Sequence, residues 1–402
     1  MVSRAAIVLL IGLVGMFYQG TQLPPPNNSD SSDDGVPVSP PRVRLRDGRY
    51  LAYREKGVPK DQAKHSIIIV HGFGSSKDMN FLAPQKPLDI EVLIRYLDTK
   101  KELIDELGIY ILQYDRAGYG ESDPNPKRSL KSEALDIEEL ADLLQIGSKF
   151  YLIGVSMGSY ATWSCLNYIP NRQITSLKIY ISKHMFGFRK CQNLCRLAGV
   201  AMIAPVINYL WPSFPESLIK EDYRRKLIKW SMWFANYFPR LLYWWVTQKW
   251  LPSNSVIEKN PAFFNKRDID ILETIPGFPM LTKASYMFLS LNKLREQVVF
   301  DTLRGDWMVA FGNWEFDPLK LSNPFPDNRS SAHIWQGYED KVVPSQIQRF
   351  VTQKLPWIQY HEVPDGGHLI VHYSGLCEAI LKALLLGEEN LSYRPRPEVF
   401  VS

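Results

Sequence analysis

Short apolar runs and amphipathic stretches alternate over the first half of the chain. Residues 42–45 and 50–53 flank Asp47-Gly48, a hairpin signal. Residues 66–70 form a β-branched run, as expected for a strand buried on both faces. Leu93, Ile94, Leu97, Leu103, Ile104 and Leu107 follow at helical spacing, with Gly108 as the stop. The pattern then predicts a strand over 109–114, an amphipathic helix over 129–145 closed by Gly147, and a strand over 150–155. A helix over 159–168 and a strand over 174–182 come next. Such alternation implies a parallel sheet with helices on both faces.

The alternation stops at residue 184. Residues 184–330 lack strand periodicity and read as helical and irregular. Strand and helix patterns resume with a strand over 332–336, a helix over 345–355, a strand over 359–363 and a closing helix over 375–386. The expected organisation is one α/β domain, residues 42–183 and 331–386, interrupted by a helical cap at 184–330. Residues 387–402 form a tail.

The first 41 residues differ in kind. Residues 5–18 are apolar or small, preceded by the single charge of Arg4. The run is short for a spanning helix, which needs about 20 residues. It has the length of a signal-peptide core, yet Met16, Phe17, Tyr18 and Gln19 offer no small-residue cleavage site. Residues 1–20 therefore read as a signal anchor or a signal peptide, the uncleaved anchor preferred, with a buried N-terminal helix as the other alternative. The next basic residue is Arg42, so the charge asymmetry puts the bulk of the chain on the non-cytoplasmic side. Residues 21–41, rich in Pro, Ser and Asp, read as a disordered tether. This predicts membrane attachment in the secretory pathway, in the endoplasmic reticulum or another endomembrane. Sequons at Asn27, Asn328 and Asn390 would matter there.

Composition narrows the function. The 402 residues are 45% hydrophobic and 22% charged, and mean hydropathy is −0.19. That is globular, and it excludes collagen-like, wholly disordered and polytopic membrane proteins. A net charge of +5 is too mild to predict nucleic-acid binding. The cap holds 19 Lys/Arg against 13 Asp/Glu, and eight of the 11 Trp. It reads either as a helical unit packing its own aromatics or as a lid with an apolar pocket against anionic headgroups. Of four cysteines, Cys165 and Cys377 are expected in the core. Cys191 and Cys195, four apart, are expected to be reduced.

Four motifs carry candidate chemistry. Gly154-Val155-Ser156-Met157-Gly158 is G-x-S-x-G between a predicted strand and helix. That context puts the serine on a sharp turn at a helix N-terminus, where negative charge is stabilised. His71-Gly72-Phe73-Gly74 follows another strand. The amides of Phe73 and Met157 are the candidate oxyanion donors. Asp340 follows the strand at 332, with Glu339 as its rival, and His368 in Asp365-Gly366-Gly367-His368 follows the last strand, with His372 as the weaker rival. Ser, acid and His in this order match one of the known triad arrangements.

With these motifs, the order of elements and Asp115-Arg116-Ala117-Gly118-Tyr119-Gly120-Glu121-Ser122, the chain resembles the α/β-hydrolase superfamily. The resemblance implies an eight-stranded, mostly parallel sheet with a cap inserted after the sixth strand, and a structural role for the Asp115–Ser122 turn. It extends to membrane-anchored plant members. Ser at the nucleophile position, rather than Asp, argues against epoxide hydrolases and haloalkane dehalogenases and favours acyl transfer through Ser156, His368 and Asp340. The expected substrate is an apolar or lipid-like carboxylic ester, with no cofactor and no metal. The same residues would serve an acyltransferase, and the fold also serves as a ligand-binding receptor.

Overall fold

In the computed structural model of the protein, residues 41–79, 81, 101–169, 196–247, 263–274, 297–325 and 331–395 are described. Among them, eight strands form one sheet: β1 (Arg42–Arg44), β2 (Tyr50–Gly57), β3 (His65–Val70), β4 (Ile109–Tyr114), β5 (Lys149–Val155), β6 (Arg196–Ile203), β7 (Ala332–Gly337) and β8 (Gln359–Val363). Their order across the sheet is β1-β2-β4-β3-β5-β6-β7-β8. The pairs β1/β2 and β2/β4 are antiparallel and the rest are parallel. The hairpin, the mostly parallel sheet and the eight strands agree with expectation.

The β-branched run of β3 is buried on both faces. Ile68 and Val70 enter one core, with Phe150 and Leu152 of β5. Ile67 and Ile69 enter the other, with Ile153 and Val155. The first core is covered by α1 (Leu130–Leu143), α2 (Gly158–Tyr168) and α8 (Ser345–Lys354), through Ile137, Leu140, Tyr160, Trp163, Ile347 and Val351. The second is covered by α9 (Leu376–Leu386) and by residues 101–107, through Ile380, Leu381, Leu103 and Ile104. Period-2 alternation along each strand thus supplies both layers. Cys165 and Cys377 are buried, and neither forms a disulfide.

One expectation needs correction. β6 lies inside the stretch read as a helical cap from residue 184, and the strand expected over 174–182 falls outside the described residues. β6 pairs with β5 on one side and β7 on the other, so the insertion between sheet strands begins after Ile203. The strand escapes a pattern search because it reads Arg-Leu-Ala-Gly-Val-Ala-Met-Ile. A Cβ at its Gly199 would lie 2.9 Å from the Ser331 carbonyl and 3.0 Å from the Tyr151 ring. Close packing there excludes the bulky residues that mark a strand.

The insertion contributes α3 (Glu216–Ile219), α4 (Tyr223–Tyr237), α5 (Pro239–Thr247), α6 (Lys266–Thr274) and α7 (Gln297–Phe311). No helix of the described residues is long and apolar enough to cross a membrane. The expected anchor and all of the tether but Pro41 lie outside those residues, as do Cys191, Cys195 and the sequons at Asn27 and Asn328.

The start of α1 has a reciprocal cap. Ser129 Oγ accepts from the Ser132 amide at 3.1 Å, and Ser132 Oγ accepts from the Ser129 amide at 2.9 Å. Two orphan donors of the first turn are satisfied together. Ser129→Ala should lower unfolding free energy by about 1 kcal/mol, read from the denaturant midpoint.

Candidate active site

The chain turns at the end of β5 so that Ser156 adopts φ 49°, a left-handed conformation that costs a non-glycine residue energy. The turn leads directly into α2. It is tight enough that a Cβ on Gly158 would sit 2.3 Å from the Val70 carbonyl, at the end of the neighbouring strand β3. Only glycine fits there. The loop after β3 also reaches the serine, because a Cβ on Gly72 would lie 3.2 Å from that of Ser156.

Three of the predicted side chains come together. Ser156 Oγ and His368 Nε2 are 2.9 Å apart, and His368 Nδ1 lies 2.9 Å from Asp340 Oδ2. They stand after β5, β8 and β7, at the carboxyl ends of parallel strands, where open α/β sheets present their crevice. Asp340 is buried. Its other oxygen accepts from the amides of Val342 and Val343 at 2.8 and 2.9 Å, and Gln336 Nε2 donates to Oδ2 at 2.9 Å. The turn is therefore shaped around an ionised carboxylate. The rival Glu339 is exposed and accepts instead from Asn265. The rival His372 is buried in the short turn Ile370–His372. Burial works against charge on His368, but Asp340, and behind it Asp268, outweigh it and hold its pKa above the ordinary imidazole value.

Phe73 stands in the turn after β3 and Met157 at the start of α2, the two places whose amides were singled out. His71, the first residue of that turn, is not a reacting group. Its Nε2 accepts from the Arg116 amide at 3.0 Å and its Nδ1 donates to the Gly72 carbonyl at 2.8 Å. Burial and the Arg116 charge push its pKa well below 6.5, so it stays neutral.

The Asp115–Ser122 turn is structural, as the resemblance implied. Asp115 accepts from the Lys77 amide at 2.7 Å, from its ammonium at 2.9 Å and from the Glu121 amide at 3.0 Å. Arg116 is fully buried. Its guanidinium donates to both oxygens of Asp306 on α7 at 2.6 and 2.8 Å, to Tyr160 Oη at 2.9 Å and to the His71 carbonyl at 3.1 Å. Tyr119 and Tyr160 each donate to Asp306 at 2.5 Å. Burial would raise the Asp306 carboxyl, but Arg116 and Arg128 hold it well below the usual carboxylate range.

With a serine, a histidine and an acid at the ends of the fifth, eighth and seventh strands, the comparison with known proteins is direct. The model of the alpha/beta hydrolase family matches residues 67–376. The chain belongs to the alpha/beta hydrolase family. Its fold is shared with MGS-M2, an alpha/beta hydrolase enzyme from a Medee basin deep-sea metagenome library, at a TM-score of 0.52 and 12% identity, over 88% of this chain and all of that one. A bromoperoxidase from Bacillus anthracis superposes at 0.51 and 15% identity, over 87% of this chain and all of the other. Among curated proteins, the provisionally named non-heme bromoperoxidase BpoC of Mycobacterium tuberculosis is 28% identical over 126 residues, 28% of this chain. The match spans about half of that relative, 48% of its length.

Two residues that tie the insertion to the core escaped the sequence reading. Asp306 and Asp268 both sit in the insertion and bond Arg116 and His368 of the core, across a hundred residues or more. Asn265-x-x-Asp268 is a legible helix start, since the Asn265 side chain accepts from the Asp268 amide at 2.8 Å, but its partner across the fold is not. Asp306→Ala would leave a buried guanidinium without its anion. It should cost roughly 3–5 kcal/mol of stability, measured by urea unfolding.

Proposed function

We propose that this protein is a serine hydrolase that cleaves a carboxylic ester of an apolar or lipid-like substrate through an acyl-enzyme on Ser156. The observation that carries this reading is the unbroken chain of contacts from Ser156 Oγ through His368 to Asp340, each 2.9 Å long. His368 takes the proton of Ser156 as its oxygen attacks the carbonyl carbon, and returns it to the leaving alcohol. Asp340 holds the imidazole in the tautomer with Nδ1–H and stabilises the imidazolium. The amides of Phe73 and Met157 receive the developing oxyanion. Water, deprotonated by the same histidine, then releases the acid and restores Ser156. The ester is the small-molecule partner, and neither cofactor nor nucleic acid enters.

The apolar substrate class is supported by the insertion. Trp307 of α7 packs edge-on to Phe73 at 5.9 Å, which puts aromatic surface on the turn after β3, the turn whose Gly72 approaches Ser156. Trp307 also donates to Ser231 of α4 at 3.0 Å. The far side of α4 carries Leu227, Trp230, Trp233 and Tyr237 at 42–66% exposure, and Phe238 follows at 44%. Lys226, Lys229 and Arg240 are exposed among them, and α4 itself contains no acidic residue. An aromatic and basic helix face suits an anionic lipid surface. Attachment to an endomembrane of the secretory pathway through residues 1–20 would hold that face near its lipid.

A fluorophosphonate probe should label the full-length protein, and Ser156→Ala and His368→Ala should abolish labelling without loss of folded protein. Asp340→Asn should slow it by orders of magnitude, whereas Glu339→Gln should not. Because reaction needs neutral His368, whose pKa is raised, the labelling rate should climb with pH through a midpoint above 6.5. Failure of well-folded protein to label would reject the hydrolase reading and favour a ligand-binding role. Replacing Trp230 and Trp233 by serine should reduce turnover of an ester carried in anionic vesicles more than turnover of a soluble short-chain ester. An equal loss on both would count against the lipid-surface assignment.

A further inference from the structure

The loop that carries His368 is held from behind by the insertion. Asp268, on the first turn of α6, is completely buried. Its Oδ2 accepts from the His368 amide at 2.8 Å and its Oδ1 from the Leu369 amide at 2.9 Å. Tyr373 Oη lies 3.5 Å from the same carboxylate and accepts from the Gly367 amide at 3.0 Å. Three residues earlier, the Asn265 side chain donates to the Asp365 carbonyl at 3.3 Å and to Glu339 at 3.2 Å. The start of α6 therefore bonds both loops of the triad, the one with the acid and the one with the histidine. The fit is close. A Cβ on Gly367 would fall 1.9 Å from Asp268 Oδ2, so the residue before His368 must be glycine because this carboxylate is there.

Resting on the hydrolase reading above, we propose that Asp268 is a positioning residue for the catalytic histidine, and that through it the seating of the insertion on the core controls whether the triad is assembled. A carboxylate that accepts two consecutive amides holds the loop in one position through charge-assisted bonds. Misplacing a base by about 1 Å can cost roughly a hundredfold in rate. The carboxylate also acts on charge. Among the described residues, the ionisable groups around His368 are Asp340, from the turn after β7, and Asp268, from α6. Those around Asp268 are His368, Tyr373 and Asp340, with Arg267 4.0 Å over the Tyr373 ring and Glu339 reached through Asn265. Burial holds the Asp268 carboxyl above its ordinary value, and the Leu369 and His368 amides take back only part of that rise. As an anion it favours the imidazolium of His368. Removing its charge therefore lowers the His368 pKa and moves the acidic limb of the rate profile to lower pH, while loss of the two bonds lowers the rate on the plateau.

The test uses the full chain with Asp268→Asn, Asp268→Ala, Gly367→Ala and the double variant Asp268→Ala/Gly367→Ala. Asp268→Asn should slow fluorophosphonate labelling at least tenfold on the plateau, on the order expected for a displaced base, and shift the limb downward. The His368 ring titration, followed by NMR and assigned by its absence in His368→Gln, should move the same way. That readout needs no turnover, and a packing role alone would leave it unmoved. Gly367→Ala should be as damaging as Asp268→Ala in the native background and should add nothing once Asp268 is alanine. An unchanged His368 titration with an unchanged labelling profile in Asp268→Asn would overturn the proposal, as would multiplicative losses in the double variant. If the parent protein does not label at all, the hydrolase reading falls, while the titration still decides the role of Asp268.

Discussion

The guanidinium of Arg116 has five N–H groups and no solvent to share them with. They go to two carboxylate oxygens of Asp306, to Tyr160 and to the carbonyls of His71 and Gly72. A charge buried this deeply persists only when paired and fully hydrogen-bonded. Its partners therefore lie where the guanidinium requires them. They come from the insertion helix α7, from the helix that follows Ser156 and from the turn beside Ser156. One ion pair thus fixes three parts of the molecule that the crevice is built from. Desolvated charges set geometry sharply because any displacement leaves a donor unpaired.

Around that pair, the crevice follows from sheet geometry. Parallel strands all end on one side, and the turns after β5, β7 and β8 bring Ser156, Asp340 and His368 to the same edge. The left-handed backbone at Ser156 is tolerated because the closely packed turn leaves no alternative path. Asp340 is held by two amides and a glutamine, which keeps its oxygen aimed at the histidine. Rigid elements carry the three side chains, and short turns aim them.

The insertion touches this machinery at two carboxylates. Asp306 bonds the turn side, near the candidate oxyanion donors, and Asp268 bonds the histidine side. Between them, α7 and α4 present aromatic surface inward at Trp307 and outward at Trp230 and Trp233. A segment that only covered the site would need no buried ionic ties. These ties make its position part of the site's geometry, and they explain why its two acids are among the most buried polar residues of the chain.

Local pattern was enough for much of this. The β-branched run of β3, the hairpin at Asp47-Gly48, the helix spacing of α1 and the strand–turn–helix context of Ser156 are set by neighbouring residues, and each was legible before any fold was known. So were Asp340 and His368, because glycines and a strand end mark their turns. What lies between distant segments was not legible. β6 lacks a β-branched run because Gly199 packs against the Tyr151 ring and Ser331, neighbours that come from distant segments. Asp268 and Asp306 look like ordinary helix-surface acids, since amphipathic spacing says only which face is polar. Their partners lie 100 and 190 residues away. Propensity and turn chemistry act over a few residues and are written in order along the chain. The pairing of a buried charge is decided by which surfaces the tertiary fold closes together, and only there does its energy arise.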